Sequence, residues 1–213
     1  MTLYQLYKKL ANEIDTSTSW PSKSKIEIVL GAILVQNTNW NNVVLSLAKL
    51  DAVTALDPDK ILQLTTEELE QIIKPSGFQV NKTKCIFEVL TWLKSFNYDF
   101  GRIKLEIGDD LRKRLINLRG IGDETADVLM LYVFDVPVFI ADKYAQKLLT
   151  KLAVEGCDNY KKTAKLVHLT EDFTLKEAQD FHLLIIEFGK LYLNRGKKWE
   201  DSFLYGVLLK NDI

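Results

Sequence analysis

A glycine turn and a single carboxylate carry the two pieces of chemistry that this sequence offers. Gly120 and Gly122 flank Ile121, and an apolar helical pattern begins directly after the second glycine. Glycines placed in this way permit a tight turn, and the free N–H groups at the mouth of the following helix can bind an anion such as a phosphate. Farther along, the apolar run 138–141 ends on Asp142, immediately before another helical pattern. Asp142 is therefore the best catalytic candidate in the chain.

The position of Asp142 suits a carboxylate that must stay ionised. The helical pattern after it begins at Lys143, and N-cap hydrogen bonds together with the helix dipole stabilise a negative charge at such a place. An ionised carboxylate can stabilise a positive charge that develops during a reaction, or it can activate a water molecule. The alternative is that Asp142 only caps the helix, which is the usual role of an isolated Asp at this position.

Helical periodicity predicts the elements that must position these residues. Thr65 and Glu68, like Thr174 and Glu177, have the spacing of capping boxes at helix starts. We expect a loop over 97–107, and the sequence shows no repeat and no convincing strand pairing. The sequence therefore predicts an all-α protein, with helices at about 2–12, 25–35, 41–50, 80–96, 143–153, 159–168 and from 175 onward.

Composition and charge limit the function classes. The chain has 213 residues, 47% of them hydrophobic and 27% charged, with a net charge of −1. A protein that coats nucleic acid through bulk charge is thus unexpected, although nine lysines and arginines between residues 82 and 119 concentrate cations around the glycine turn. No apolar run approaches the ~20 residues of a membrane span, and we expect a cytoplasmic location. Cys85 and Cys157 have no metal-ligand neighbours, so neither a disulfide framework nor a zinc site is expected.

The turn and the carboxylate together resemble the helix-hairpin-helix, Gly/Pro-Asp superfamily of DNA glycosylases, which includes endonuclease III. The family's hairpin reads Leu-Pro-Gly-Val-Gly and is followed at a fixed distance by a proline and an aspartate. That register favours a catalytic Asp142 over a simple N-cap. The resemblance implies two helical domains, 22–135 and 1–21 plus 136–213, with the active-site cleft between them. The positions that match without a gap are Leu118, Gly120, Ile121, Gly122, Thr125, Ala126, Pro137 and Asp142.

The same resemblance assigns roles in DNA binding. Gln36 would enter the gap that a flipped-out nucleotide leaves, and Phe78 would be the apolar wedge that intrudes between bases. The alternative for Phe78 is a core side chain that closes a turn. Arg119 replaces the usual hairpin proline and could add a phosphate contact while loosening the turn. The hairpin contacts to DNA would come from Arg119, Gly120, Ile121, Gly122 and Thr125, and family hairpins often bind a monovalent cation through backbone carbonyls, here those of Ile116, Leu118 and Ile121.

Within that superfamily the sequence is most similar to the 3-methyladenine DNA glycosylases that lack an iron–sulfur cluster. The similar stretches are Trp20-Pro21, GAILVQNTNW, KPSGF, GIGDETAD and ADKYAQKLLTKL. An alkylated purine is cationic, so stacking on an electron-rich indole would favour it. Trp40 is the first candidate for that stack and Trp20 the second, with packing roles as the alternatives. Lys190 would line the far wall of the base pocket, or it is an ordinary solvated lysine.

Two departures from the endonuclease III pattern change the expected reaction. Bifunctional members carry a lysine two residues after the second glycine, where it forms a Schiff base with the sugar, and this chain has Glu124 there. Region 193–209 lacks the cysteines that hold the cluster of endonuclease III. We therefore expect a glycosylase that needs no cofactor and has no lyase activity. We also expect it to be a monomer and to act on damaged double-stranded DNA. The alternatives are another damaged or mismatched base, or a catalytically silent DNA-binding protein. His168 and His182 have no evident acid partner, and we expect both to be structural.

Overall fold

A computed structural model describes residues 1–15, 22–194 and 197–210. Over these residues the chain has no β-strand, which confirms the predicted all-α fold. None of the described helices is both long and apolar enough to cross a membrane. The α-helices are α1 Leu3–Glu13, α2 Lys25–Leu34, α3 Trp40–Thr54, α4 Pro58–Gln63, α5 Thr66–Ile73, α6 Gln79–Lys94, α7 Phe100–Ile107, α8 Leu111–Ile116, α9 Asp123–Tyr132, α10 Lys143–Lys151, α11 Tyr160–Leu166 and α12 Leu175–Phe188.

The chain forms two compact units. One comprises residues 22–134, and the other combines 1–21 with 135–213. The first unit contains α2 to α9, so the glycine turn lies within it. The second unit contains α1 and α10 to α12 and carries Asp142. Each unit therefore holds one of the two pieces of chemistry that the sequence offers.

Short-range hydrogen bonds fix where the helices begin. The predicted capping boxes at Thr65 and Thr174 are confirmed, and a third one at Thr2 opens α1. In each box the threonine side chain accepts from the backbone N–H three residues later. The glutamine or glutamate side chain at that later position accepts from the backbone N–H of the threonine. Such pairs satisfy two donors that a helix start would otherwise leave open.

The prediction of a loop over 97–107 is wrong. Residues Phe100–Ile107 form α7, whose start is fixed by Asp99, because the Asp99 side chain accepts a hydrogen bond of 2.9 Å from Arg102 N. Only Ile103 of this helix is buried, and Leu105 is exposed. Phe100 and Ile107, which are half-buried, lie at helical spacing from Ile103, but the helix has only eight residues. That is shorter than the window over which helical periodicity is recognised, which explains the error.

The unit that carries Asp142 is built around an aromatic and aliphatic core. Helices α1, α10 and α12 contribute most of its buried side chains, among them Leu6, Leu148 and Phe181. A wider π-helical turn, Gly189–Leu193, continues α12 and packs against α10. Gly189 faces the Tyr144 ring there, and a Cβ on Gly189 would overlap with that ring and lie 2.9 Å from the Tyr144 Cβ. The close approach of these two segments therefore requires glycine.

Replacement of this glycine tests that packing. Gly189→Ala should lower the free energy of unfolding by ~1–3 kcal/mol, because the added methyl group overpacks the contact with Tyr144. Gly101→Ala is the matched control, since Gly101 is also helical and its nearest neighbour would be a carboxylate oxygen of Asp99 at 3.4 Å. Urea denaturation of both variants measures the difference. Equal stability of the two would contradict the contact.

Candidate active site

The glycine turn joins α8 to α9 and is tied into the unit by its apolar residues. Leu118 and Ile121 are buried, whereas Gly120 and Gly122 are exposed. Ile121 N donates to Leu118 O at 3.1 Å, so one of the carbonyls predicted to bind a cation also closes the turn. Gly120 has a φ of +84°, and a Cβ on it would lie 2.9 Å from Cys85 Cβ. Only glycine satisfies both the backbone conformation and the close approach to α6.

An arginine clamps the two helices that flank the turn. Arg112 on α8 makes two parallel hydrogen bonds to the buried Asp127 on α9, from Nε at 2.6 Å and from Nη2 at 3.0 Å. Its Nη2 also donates to Asp123 Oδ1 at 3.2 Å. The hydrogen bonds to Asp127 raise the pKa of Arg112 further above its usual range. The clamp thus neutralises acidic charge at the mouth of α9, where a phosphate would bind.

Gln36 lies directly on the glycine turn. Its side-chain Nε2 donates to Gly120 O and to Thr125 Oγ1, each at 3.1 Å, and the residue is half-buried. The structure therefore brings together Gln36, Gly120 and Thr125, which the sequence presents as separate predicted DNA contacts. These two hydrogen bonds hold the glutamine at the surface of the turn.

Phe78 lies at an exposed corner between the short 3₁₀ turn Lys74–Ser76 and α6. Its side chain is 63% exposed and its φ is +50°, which is unusual for a non-glycine residue. The alternative of a core phenylalanine that closes the turn is wrong. An exposed phenyl ring held by a strained backbone is consistent with the predicted wedge.

A buried lysine that the sequence does not single out connects the loops of Gln36 and Phe78. Lys82 on α6 is only 3% exposed, and its Nζ donates to Leu34 O at 2.9 Å and to Ser76 O at 2.7 Å. Leu34 and Ser76 each lie two residues before one of the two loop residues. Burial lowers the pKa of Lys82 to about 8. Among the cations that surround the turn in sequence, Lys82 is therefore internal and does not offer its charge to DNA.

Trp40, the first candidate for stacking on a base, lies at the start of a helix. Trp40 is the first residue of α3 and is half-buried. The preceding Asn39 caps the helix, because its Oδ1 accepts from Asn42 N at 3.1 Å. A first helical position with partial burial leaves part of the indole accessible. Trp20 lies outside the described residues.

Asp142 is the N-cap of α10, as predicted. Its Oδ1 accepts a hydrogen bond of 2.7 Å from Ala145 N, and the residue is 8% exposed. The Gln146 side chain donates to Ala141 O at 2.7 Å and so fixes the backbone just before the carboxylate. One carboxylate oxygen is thus committed to the helix start, and the other oxygen, Oδ2, lies beside His182.

The expectation that His182 has no acid partner is wrong. Its Nε2 lies 3.8 Å from Asp142 Oδ2, and both residues are buried. Burial lowers the pKa of His182 to about 4, so the imidazole is neutral at pH 7. The sequence signal for this pair is weak, because His182 falls among apolar residues of α12, forty residues after Asp142. His168 is exposed.

Lys190 has the surroundings of an ordinary surface lysine. Its side chain is 55% exposed, and its Nζ donates to Glu187 Oε1 at 2.6 Å, three residues earlier. Exposed pairs of this kind contribute little to stability.

The residues of this chain do not fit an iron–sulfur cluster. Such a cluster needs four thiolate ligands, whereas the chain has two cysteines, Cys85 and Cys157. Both are buried free thiols in different units, and burial raises the pKa of Cys85 to about 12. Among the described residues, no group of three or more His, Cys, Asp or Glu side chains could hold a metal ion.

Comparisons of the sequence identify a protein family and individual relatives. Residues 30–171 match the profile of the HhH-GPD superfamily of base excision DNA repair proteins. A protein of Methanocaldococcus jannaschii with the provisional name of a DNA repair glycosylase is 30% identical over 202 residues, which cover 91% of this chain and 89% of that protein. Endonuclease III of Sulfolobus acidocaldarius is 25% identical over 197 residues, which cover 87% of this chain and 85% of that protein.

Solved structures show the same fold. The H. pylori 3-methyladenine DNA glycosylase MagIII, bound to 1,N6-ethenoadenine, is 25% identical with a TM-score of 0.72 and covers 89% of this chain and 98% of its own. Endonuclease III trapped as a covalent intermediate with DNA is 21% identical with a TM-score of 0.76 and covers 96% of this chain and 94% of its own.

The buried lysine gives a prediction about stability and pH. Lys82→Met leaves two buried carbonyls without their donor, so we expect the free energy of unfolding to fall by ~1–3 kcal/mol at pH 10. The loss should be smaller at pH 7. The folded chain releases the Lys82 proton near pH 8, whereas the unfolded chain releases it near pH 10.5. Between these values the native protein therefore becomes more stable relative to the variant as the pH rises.

Urea denaturation of both proteins between pH 7 and pH 10 measures this difference. Lys84→Met is the control, because Lys84 lies two residues away on α6 and is exposed. A difference between native protein and Lys82→Met that does not change with pH would contradict the buried ammonium group.

Proposed function

We propose that this chain, which belongs to the HhH-GPD superfamily of base excision DNA repair proteins, is a monofunctional DNA glycosylase for an alkylated purine in duplex DNA. The observation that carries the proposal is Asp142, a buried carboxylate at a helix N-cap in the family's register with the glycine turn. A module that only binds DNA would have no need of a carboxylate at that position.

The carboxylate supports hydrolysis of an N-glycosidic bond. In that reaction the bond between the sugar C1′ and the base nitrogen breaks, its electron pair leaves with the base, and positive charge develops on the sugar. Ionised Asp142 stabilises this charge. A water oxygen then forms the new bond to C1′, and Asp142 accepts the proton that the water gives up. The N–H of Ala145 and the N-terminus of α10 favour the ionised carboxylate that both steps need.

The other unit supplies the contacts to DNA. The exposed backbone at Gly120 and Gly122 would bind a phosphate of the strand that carries the damaged base. Gln36, held against the turn, would fill the space that the flipped nucleotide leaves. Phe78 would unstack the neighbouring bases. Lys82, which bonds to both loops, keeps the Phe78 loop and the Gln36 loop at a fixed separation.

An alkylated purine is the base that the chemistry favours. Alkylation at N3 or N7 makes the purine cationic and hence a good leaving group, so little acid catalysis on the base is needed. The half-buried Trp40 would stack on such a base by a cation–π interaction worth ~1–2 kcal/mol. The similarity to the H. pylori 3-methyladenine glycosylase supports this choice. The second candidate substrate is another damaged base, because other proteins similar to this chain are endonuclease III enzymes by name.

The reaction should stop at the abasic site. Glu124 occupies the position where bifunctional members carry their Schiff-base lysine, and it is exposed as the second residue of α9. A carboxylate cannot form an imine with the sugar aldehyde. Base removal without strand cleavage follows from this substitution.

Base release from defined duplexes tests the catalytic role of Asp142. The native protein should release base from duplex DNA treated with a methylating agent, and Asp142→Asn should lower the rate by at least ~10³-fold, because it removes the charge that stabilises the transition state. Asparagine also caps helices well, so α10 should persist in the variant. Chromatography identifies the released bases, and circular dichroism checks the fold.

Duplexes with 1,N6-ethenoadenine, uracil or an oxidised pyrimidine extend this test. Activity on one of them alone would replace the alkylated purine as the substrate. Activity of the native protein on none of them, with retained binding to abasic DNA, would leave only the DNA-binding alternative.

Borohydride reduction tests the absence of lyase activity. The native protein should leave abasic duplex uncut and form no covalent adduct on reduction, whereas Glu124→Lys should become trappable, because it places an amine at the family's nucleophile position. Glu88→Lys, a charge reversal at an exposed site of α6, is the control. A covalent adduct of the native protein would overturn the monofunctional assignment.

A further inference from the structure

We propose that His182 is a positioning residue for Asp142, whose Oδ2 it holds with an imidazole N–H. The inference rests on the proposed function, because it concerns the carboxylate that performs the reaction. His182 itself touches neither sugar nor base in this assignment. It acts through Asp142 by fixing the plane of the carboxylate.

The geometry of the two carboxylate oxygens carries the inference. Oδ1 accepts from Ala145 N at 2.7 Å, and Oδ2 lies 3.8 Å from His182 Nε2. A donor at Oδ2, in addition to the donor at Oδ1, restricts rotation of the carboxylate about its last bond. The distance of 3.8 Å is longer than a hydrogen bond. Contacts of this kind in free enzymes are often long and tighten in the complex with substrate.

Burial favours the neutral form of His182, which still has one N–H group to donate. Burial lowers its pKa to about 4, so the imidazole carries one proton at pH 7. With that proton on Nε2, an N–H group faces the carboxylate, whereas the other tautomer would place a lone pair against negative charge. The Nε2–H tautomer is therefore favoured while Asp142 is ionised. A neutral donor leaves the negative charge of Asp142 available for the sugar.

The fold holds the two side chains at this distance. Asp142 begins α10 and His182 lies on α12, and these two helices pack on each other within one unit. The contact of Gly189 with Tyr144 brings the end of α12 close to the first turn of α10. Phe181, the neighbour of His182, is buried in the core of the same unit. The imidazole is therefore anchored by the packing of α12.

Other titratable groups on the neighbouring elements are engaged elsewhere or exposed. On α1, Tyr4 and Lys8 bind Glu177, and burial raises the pKa of Tyr7 so that it stays neutral. Lys9 lies over the Phe203 ring, and Glu13 is exposed. The remaining groups are Lys176 paired with Asp180 and Lys190 paired with Glu187, Tyr144 bonded to Asn194, Tyr192 beneath Lys197, and the exposed Lys143, Lys147 and Lys151 of α10. A change in the pH profile on removal of His182 can therefore be assigned to its contact with Asp142.

Two substitutions of His182 separate positioning from packing. His182→Leu fills the site with an apolar side chain of moderate size and removes the donor. His182→Gln keeps an N–H donor. On a duplex that the native protein processes, His182→Leu should lower the single-turnover rate constant about tenfold or more, since a hydrogen bond to a charged group is lost. The protein concentration that gives half the maximal rate should change less than about twofold. His182→Gln should recover most of the rate.

The pH profile supplies a readout that a packing defect would not move. Without the N–H donor the ionised carboxylate is less stabilised, so the acidic limb of the rate profile should move to higher pH in His182→Leu and return in His182→Gln. His168→Gln is the matched control, because His168 is the other histidine of the chain and is exposed. It should leave the rate and the pH profile unchanged.

A measurement on the native protein keeps the inference testable even if a variant fails to fold. Nitrogen NMR of the two imidazoles, assigned with His168→Gln, should show His182 as the neutral Nε2–H tautomer at pH 7. The Nε2 resonance should shift in Asp142→Asn, because the charge that it faces is removed. The Nδ1–H tautomer, or an Nε2 resonance that ignores Asp142→Asn, overturns the inference.

Kinetic outcomes can overturn the inference while the proposed function stands. Native-like rates and profiles in His182→Leu show that the donor is not needed. A rate loss without a shift of the acidic limb and without recovery in His182→Gln shows a packing role only. If the native protein releases no base from any duplex, the proposed function fails, while the NMR result still decides whether His182 and Asp142 are paired.

Discussion

The hydrogen bond from Ala145 N to Asp142 Oδ1 is the interaction on which the candidate chemistry depends. It starts α10, it anchors a carboxylate that is only 8% exposed, and it favours the ionised form. A buried carboxylate without such a donor would tend to take up a proton. Asp142 therefore has two roles, because it caps α10 and also supplies the negative charge.

In the other unit, hydrogen bonds from polar side chains hold the surface loops in place. Lys82 satisfies carbonyls before the Gln36 and Phe78 loops, Gln36 bonds to the glycine turn, and Arg112 locks the helices on either side of that turn. Lys82 is buried, and Gln36 and Arg112 are half-buried. Removing these groups from water costs free energy, which their hydrogen bonds offset. Loops fixed in this way lose little conformational entropy when they bind a ligand.

Charge is arranged locally and not in bulk. The chain carries a net charge of −1, and two of the cations near the turn, Lys82 and Arg112, have internal partners. Because Arg112 neutralises Asp123 and Asp127, the mouth of α9 presents backbone N–H groups with less opposing negative charge. Phosphate recognition at this site would then depend on backbone geometry together with a few exposed cations such as Arg119.

Features that depend on neighbours in the chain can be predicted from the sequence alone. The capping boxes at Thr65 and Thr174, the turn at Gly120 and the N-cap at Asp142 involve residues within four positions of each other, so their types and spacing suffice to predict them. The sequence does not predict α7 in the same way, because its eight residues are fewer than helical periodicity needs for recognition.

Contacts between side chains of different helices depend on how those helices pack. Periodicity shows that His182 and Lys82 lie on particular faces, but it does not show what those faces contact. The sequence therefore presents His182 as isolated and Lys82 as one of several cations near the turn, whereas the packing of α12 on α10 and of α6 on α2 buries both beside polar partners. The partner of a buried polar group is fixed by the way in which distant segments pack, and no local pattern of residues encodes it.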